Sequence, residues 1–204
     1  VNGGTGDRVP RSGDHCYPEI WGKEDKIIVR ISAKSLVLKK WDAKVEVFLA
    51  RVAFLHINSP EYGIESLDEG SKSLIYEEIC TDQKSWKAIR NQEVFPFVRN
   101  AFGEDQLKIL DDAAPCEIDL GNGKKPYRIA YSKDNAQISA YLQDLYDIYE
   151  HPAINFGKYK LTVDILAPNG RSSQLTKDLP AFWDGSYPEV KKELAGRYPK
   201  HEWR

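Results

Sequence analysis

The residues that could bind phosphate do not form a recognisable nucleotide site. A phosphate-binding loop needs the spacing G-x-x-x-x-G-K-[ST], which places backbone amides, a lysine and a hydroxyl around phosphates and Mg²⁺. Gly3-Gly4-Thr5-Gly6 is followed by Asp7 and Arg8 instead of a lysine, and no strand pattern precedes it. Gly121-Asn122-Gly123 stands between two alternating segments, where it indicates a hairpin turn. We therefore expect no nucleotide-binding loop in this sequence.

The histidines and paired carboxylates predict neither a metal site nor a catalytic acid–base pair. The four histidines are His15, His56, His151 and His201. No two of them recur at the spacing of a helical metal site. Asp111-Asp112 and Glu77-Glu78 fall at predicted helix ends or on exposed faces, where solvated charge is the usual role. The sequence therefore assigns no catalytic residue and no metal ligand.

The segment from Arg171 to Arg204 carries the strongest binding signal. Its seven basic residues outnumber its five acidic ones, and five aromatic residues lie among them. Basic groups beside aromatic rings can hold a phosphate backbone and stack on bases. The residues predicted to bind nucleic acid are Arg171, Lys177, Lys191, Lys192, Arg197 and Lys200. The alternative is that the aromatic residues belong to the core and the charges to a solvated helix face.

The overall charge requires any contact with nucleic acid to be local. The chain has 29 basic and 31 acidic residues, a net charge of −2, so no basic field surrounds the whole molecule. Hydrophobic residues make up 41% of the 204, which is enough to build a core.

Cysteine usage and the absence of targeting signals predict a cytoplasmic protein. No apolar run approaches the roughly 20 residues of a membrane span, and no charged leader precedes an apolar segment. Cys16, Cys80 and Cys116 are odd in number and widely spaced, so we expect buried, reduced thiols. Because the sequence begins at Val1 and contains no methionine, we interpret it as a fragment or a processed piece.

Residues 36–112 have the periodicity of a helical subdomain, whereas residues 1–35 are expected to be loose apart from a strand at Ile27–Ile31. Asp42 is a predicted N-cap for a long helix. The apolar face of this helix comprises Trp41, Val45, Phe48, Leu49, Val52 and Leu55. A capping box at Ser66 and Glu69 predicts the start of a second helix. Further helices are expected over residues 86–101, broken near Pro96, and 104–112.

Residues 113–204 predict a small antiparallel sheet covered by helices. Alternation over residues 116–120 and 127–131 indicates one hairpin, and residues 161–165 and 171–176 form a second around Pro168-Asn169-Gly170. Between them a helix is predicted from an apolar stripe of Ile138, Tyr141, Leu142, Leu145 and Ile148. This stripe is expected to pack on the strands that carry Ile129 and Val163. The fold class is therefore α+β.

A last helix is expected between Ser186 and Gly196. Ser186 and Glu189 have the spacing of a capping box, and Gly196 is a natural stop. Val190 and Leu194 then face inward, so Lys191, Lys192, Arg197 and Lys200 are expected to be accessible to solvent. Trp183 is expected to be largely buried as an anchor for this helix.

The carboxy-terminal run resembles HrpB-type ATP-dependent helicases of the DExH-box class. The matching pieces are Leu166-Ala167-Pro168, Gln174 to Leu179, Phe182-Trp183, Ser186 to Leu194, Gly196 to His201 and Trp203. Tyr127 to Tyr131, Tyr141 to Leu145 and Arg51 to Leu55 resemble preceding segments of the family. The resemblance covers residues 42–204, is weaker before residue 115, and does not extend to residues 1–35.

The resemblance implies an accessory role beside a missing motor. The motor of this family has two RecA-like domains with phosphate-loop and DExH motifs, which bind ATP and Mg²⁺, and those motifs are absent here. The resemblance implies a parent RNA helicase that hydrolyses ATP, with the helicase core and RNA as partners. A second hypothesis is a protein-docking module, because near-neutral charge and many aromatic residues also suit protein interfaces.

Overall fold

In a computed structural model, the described residues are 19–23, 26–30, 38 and 41–204. Strands β1 (Glu19–Lys23) and β2 (Lys26–Arg30) pair antiparallel, with Ile20 opposite Val29. The predicted strand at Ile27–Ile31 is confirmed up to Arg30, and Ile31 lies outside the described residues. Strand β1 is a second strand within residues 1–35, where only the strand at Ile27–Ile31 was predicted, and residues 1–18 lie outside the described residues. Gly3–Gly6, His15 and Cys16 also lie outside the described residues.

Five helices follow in the described part of residues 36–113. They are α1 (Ala43–Asn58), α2 (Glu69–Cys80), α3 (Trp86–Arg90), α4 (Phe95–Asn100) and α5 (Glu104–Ala113), with a 3₁₀ turn at Pro60–Tyr62. Asp42 caps α1 as predicted, because its carboxylate accepts from the amides of Lys44 and Val45. The predicted capping box at Ser66 is wrong. Asp68 is the N-cap of α2 and accepts from the Ser71 amide.

Helix α1 is the central element of the helical part. Val45, Phe48, Val52 and Leu55 are buried on the predicted face, and the Phe54 ring packs edge-on against Tyr131 and Tyr159 of the sheet region. The helical residues and the sheet residues therefore share one core. The division between them at residue 112 stays a prediction.

The second half is built from short strands, as the α+β prediction requires. They are β3 (Glu117–Ile118), β4 (Tyr127–Arg128), β5 (Ala130–Tyr131), β6 (Ala136–Tyr141), β7 (Ala153–Ile154), β8 (Tyr159–Lys160), β9 (Thr162–Leu166) and β10 (Ser172–Thr176). A four-stranded sheet has the order β10-β9-β6-β5. Its neighbours are antiparallel except β6 and β9, which are parallel. Two-stranded pairs β3–β4 and β7–β8 accompany it.

The helix predicted across residues 138–148 is wrong. Residues 136–141 form strand β6, and Leu142–Leu145 form a 3₁₀ turn. Ala136, Ile138 and Ala140 are buried while Ser139 is exposed, which is the two-residue period of a strand. Ile138 lies beside Val163 in the sheet. Ile138, Leu142 and Leu145 are therefore buried as expected, but Tyr141 is 44% exposed.

The chain ends with two helices that contact each other, α6 (Leu179–Asp184) and α7 (Tyr187–Arg197). Three details of the prediction are wrong. The Ser186 hydroxyl makes no capping bond and instead accepts from Gln174, and α7 continues through Gly196 to Arg197. Trp183 is half-buried instead of largely buried, and its indole N–H donates to the carbonyl of Ile148 at 3.0 Å.

The two described cysteines are free but differ in exposure. Cys80 is buried, and burial raises the pKa of its thiol. Cys116 is exposed, which corrects the expectation of buried thiols for this residue. Among the residues that the structure describes, no helix combines the length and apolarity needed to cross a bilayer.

His151 links the sheet to α6 through both ring nitrogens. Nε2 lies 2.7 Å from the Leu161 carbonyl, and Nδ1 accepts from the Leu179 amide at 3.0 Å. Only a neutral ring with its proton on Nε2 can make both bonds. Partial burial lowers the pKa of His151 below its ordinary value, chiefly through desolvation.

We therefore expect His151 to make the folded state less stable at acidic pH. A lowered pKa in the folded state means that the unfolded chain takes up the proton first, so this contribution is complete above about pH 6.5 and is lost as the pH falls. Urea unfolding at pH 7.5 and 5.5, followed by circular dichroism, measures the change. The His151→Gln variant, which cannot titrate, should lose less stability between the two values. Equal losses in the two proteins would contradict this prediction.

Candidate nucleic-acid interface

The structure places the six sequence-predicted cations on the surface but gives them different surroundings. Arg171, Lys177, Lys192, Arg197 and Lys200 are exposed, and Lys191 is half-buried. Arg171 lies in the turn between β9 and β10, Lys177 follows β10, and the others lie on or after α7. Accessibility is thus as expected for Lys192, Arg197 and Lys200 and only partial for Lys191.

Several of these cations already have partners within the chain. The Lys191 ammonium donates to the carbonyl of Arg204 at 2.6 Å, and the Arg197 guanidinium pairs with Glu193 at 3.2 Å. The Lys177 ammonium lies 5.6 Å from the centre of the Tyr159 ring. In the segment from Arg171 to Arg204, called the tail below, part of the positive charge is therefore already paired within the chain.

The aromatic residues of the tail mostly pack on one another. The Trp183 ring centre is 4.9 Å from that of Phe182, 5.0 Å from that of Tyr187 and 5.9 Å from that of Tyr146. Phe182 is buried. For Phe182, Trp183 and Tyr187, this packing supports the alternative in which the rings hold α6 and α7 in place.

A groove of about 370 Å³ lies between the loop that joins β3 to β4 and the end of the sheet. One wall is formed by residues 124–128 and the other by Ser139, Ala140 and Tyr141 of β6, with Asp144 and Leu166 beside them. The groove thus combines the cations of Lys124, Lys125 and Arg128 with two tyrosine rings and a single carboxylate.

The loop that carries these cations is held by Asn122. Its side-chain amide donates to the Tyr127 hydroxyl at 2.9 Å and to the Asp144 carbonyl at 2.8 Å. Its amide oxygen accepts from the backbone N–H of Lys124 at 3.1 Å. Gly121 and Gly123 have φ values of 70° and 71°, which glycine adopts without strain. The predicted hairpin is confirmed, although its strands pair over only two residues each.

The three basic side chains that line the groove differ in whether they form an ion pair. Lys124 lies 3.4 Å from the Asp144 carboxylate, and Arg128 lies 3.5 Å from Glu117 with 90% of its side chain exposed. Lys125 has no ion pair among the described residues. An exposed ion pair contributes little, about 0–1 kcal/mol, so an incoming phosphate can compete for Arg128.

The turn that precedes Arg171 lies near Tyr141, one of the residues that line the groove. A β-carbon placed on Gly170 would lie 3.6 Å from the Tyr141 hydroxyl, so the turn and the tyrosine are in contact distance. Arg171 follows Gly170 in the chain, and neither residue lines the groove. The sequence interpretation missed Lys124, Lys125 and Arg128, although adjacent lysines in a hairpin loop are a usable signal.

The side chains that line the groove have chemistry suited to binding. Burial raises the pKa of the Tyr127 hydroxyl, so this group stays protonated at neutral pH. Among the described residues, no group of three or more His, Cys, Asp or Glu side chains could hold a metal ion. The arrangement offers cations, hydroxyls and an exposed ring, which suit a phosphate and a base.

The fold and the groove belong to a region known from helicases. Residues 76–204 match the family model HrpB_C, the C-terminal region of ATP-dependent helicases, and the chain belongs to this family. The chain is 29% identical over 178 residues to the ATP-dependent RNA helicase HrpB of Escherichia coli (strain K12), covering 85% of this chain and 22% of that protein.

Solved structures agree with the sequence comparison. The crystal structure of the E. coli DExH-box NTPase HrpB is 28% identical, with a TM-score of 0.73, over 81% of this chain and 21% of that one. The crystal structure of the Escherichia coli DEAH/RHA helicase HrpB is 27% identical, with a TM-score of 0.66, over 83% of this chain and 22% of that one. The chain therefore spans about a fifth of the length of these relatives.

Proposed function

We propose that this region is an RNA-contacting accessory domain of an ATP-dependent RNA helicase. In this proposal motor domains outside the chain bind ATP and Mg²⁺ and hydrolyse the nucleotide. The cationic groove between residues 124–128 and β6 carries the proposal, because it concentrates positive charge on a chain whose net charge is −2. A local patch can bind a phosphate backbone even when the whole molecule does not attract it.

The groove is better placed for this role than the tail alone. Lys125 has no ion pair in the described part of the chain and Arg128 is almost fully exposed, whereas Arg197 and Lys191 have partners within their own helix or the chain end. Gly170, the residue before Arg171, lies near the Tyr141 hydroxyl at the edge of this region. The tail cations Lys192 and Lys200 remain part of the proposal as outer contacts for the RNA backbone.

Reversing the charge of Lys125 and Arg128 together should weaken binding to a fluorescein-labelled oligouridylate by at least about tenfold, because two phosphate contacts are lost. The dependence of log K on log salt should also become flatter, by about 0.7 for each lost contact with a single strand. Fluorescence anisotropy at several salt concentrations measures both quantities. A matched control variant reverses the charges of Lys84 and Arg90, which are exposed in the helical part. It changes the net charge by the same amount.

The same assay tests the sequence-predicted tail. Reversal of Lys192 and Arg197 should have a smaller effect than reversal of Lys125 and Arg128, because Arg197 already pairs with Glu193. If the unaltered chain binds no RNA, or binds it without salt dependence, the proposal is wrong and the protein-docking hypothesis is favoured. A larger loss for the tail pair would move the interface from the groove to α7.

A further inference from the structure

We infer that the groove accepts an unpaired nucleotide whose base stacks on Tyr141, so that the domain prefers single-stranded RNA to duplex RNA. The inference rests on the proposed RNA contact and names the residue and the form of RNA involved. Tyr141 is the last residue of β6 and pairs in register with Leu166 of the parallel strand β9. Both residues line the groove.

The position of Tyr141 in the strand explains why its ring is available. Ala140 points inward and is 1% exposed, so the alternation of β6 sends Tyr141 to the outer face, where it is 44% exposed. In the described residues its ring packs on no other aromatic ring and its hydroxyl has no hydrogen-bond partner. The tyrosines at 127, 131, 146, 159 and 187 all have such contacts.

The surroundings of Tyr141 favour a nucleotide over an apolar partner. Lys125 and Arg128 line the same groove as Tyr141, and Gly170, the residue before Arg171, lies near its hydroxyl. Cations near the exposed ring can hold the phosphates that flank a stacked base. Asp144, the single carboxylate in the groove, is already paired with Lys124. The local charge is therefore complementary to RNA.

The exposed ring of Tyr141 favours an unpaired base over a paired one. A base in a duplex is already stacked on its neighbours and is not free to lie on a protein ring, whereas bases in single strands can be splayed out and stacked on aromatic side chains. Duplex RNA can meet only the cations at the rim.

Tyr141→Ala is the decisive variant. Loss of one stacked base should weaken binding of the fluorescein-labelled oligouridylate by roughly 5- to 100-fold. Binding of a duplex of the same length, which depends on the cations, should be nearly unchanged. Tyr141→Phe keeps the ring and should bind the oligouridylate within about twofold of the unaltered chain. Tyr149→Ala, at a tyrosine that is 71% exposed and does not line the groove, is the matched control.

Each outcome separates the inference from the proposed function. If Tyr141→Ala binds the oligouridylate as well as the unaltered chain while the Lys125 and Arg128 reversal weakens binding, stacking is wrong and RNA contact stands. Equal losses for single strand and duplex would also overturn stacking, because they indicate a general disturbance of the groove. If the unaltered chain binds neither probe, both the inference and the proposed function fail.

Discussion

Replacing Arg51 by alanine should lower the free energy of unfolding by about 3–5 kcal/mol, because it removes a buried cation that satisfies several acceptors at once. Arg51 lies on α1 and is 5% exposed. Its Nε donates to the Ala114 carbonyl at 2.6 Å, and Nη2 donates to the Leu110 carbonyl at 3.1 Å. The same nitrogen lies 2.6 Å from the Asp111 carboxylate.

These acceptors are at the carboxyl end of α5, where the Leu110 carbonyl also accepts from the Ala114 amide at 3.0 Å and the Ala114 carbonyl lies beyond the last helical residue. Arg51 therefore supplies a donor to the Ala114 carbonyl, adds a second donor to the Leu110 carbonyl, and places its charge at the negative end of the helix dipole. Alanine would leave the Ala114 carbonyl without its donor and open a cavity between α1 and α5. The expected loss is large because the site is closed to water, which cannot take over the bonds.

Two further variants test this explanation in urea unfolding followed by circular dichroism. Arg51→Lys keeps the charge but not the planar fork, so its cost should be intermediate. Asp111→Asn should cost about 1 kcal/mol or less, because 66% of the Asp111 side chain is exposed. If Asp111→Asn costs as much as Arg51→Ala, the ion pair and not the helix carbonyls explains the role of Arg51.

Arg51 also shows which contacts a sequence does not reveal. The helical periodicity of α1 is local, and it correctly predicted the cap at Asp42 and the buried face. The partners of Arg51 are about sixty residues away in sequence, and Asp111 was predicted to be merely solvated. Asn155 is a second case, since its buried side chain bonds to Ser59 and Tyr62. No local pattern signals such pairs.

The groove escaped prediction for a similar reason. Its lysines lie in a hairpin loop that Gly121-Asn122-Gly123 correctly indicated, but the facing wall comes from β6. The sequence interpretation assigned β6 to a helix and Tyr141 to its apolar face. The tail, in contrast, brings cations and aromatic residues together within one stretch of sequence, so it stood out even though its rings pack internally.

The error in β6 arose because one apolar pattern fits two structures. Ile138, Leu142 and Leu145 fit helical spacing, while Ala136, Ile138 and Ala140 fit strand spacing. A short apolar run cannot be assigned from periodicity alone. Pairing with neighbouring strands decides between helix and strand here, because β6 lies between β5 and β9 in the centre of the sheet. The class of fold was predictable because the flanking hairpins have clear turn signals.

Leu142→Ala should cost about 2–5 kcal/mol, whereas Tyr141→Ala should cost about 1 kcal/mol or less. Leu142 is fully buried in the 3₁₀ turn that follows β6, and Tyr141, its neighbour, lies on the outer face. A helix with the predicted apolar stripe would bury both side chains and make both changes expensive. The ratio of the two costs therefore separates the strand from the helix without a further structure.

Urea unfolding of the two variants against the unaltered chain measures this ratio. The Tyr141→Ala variant serves a second purpose here, because a small loss of stability shows that its effect on RNA binding is not caused by unfolding. Similar costs of several kcal/mol for both variants would contradict the strand assignment of β6. They would also remove Tyr141 from the surface, and with it the exposed ring on which base stacking in the groove depends.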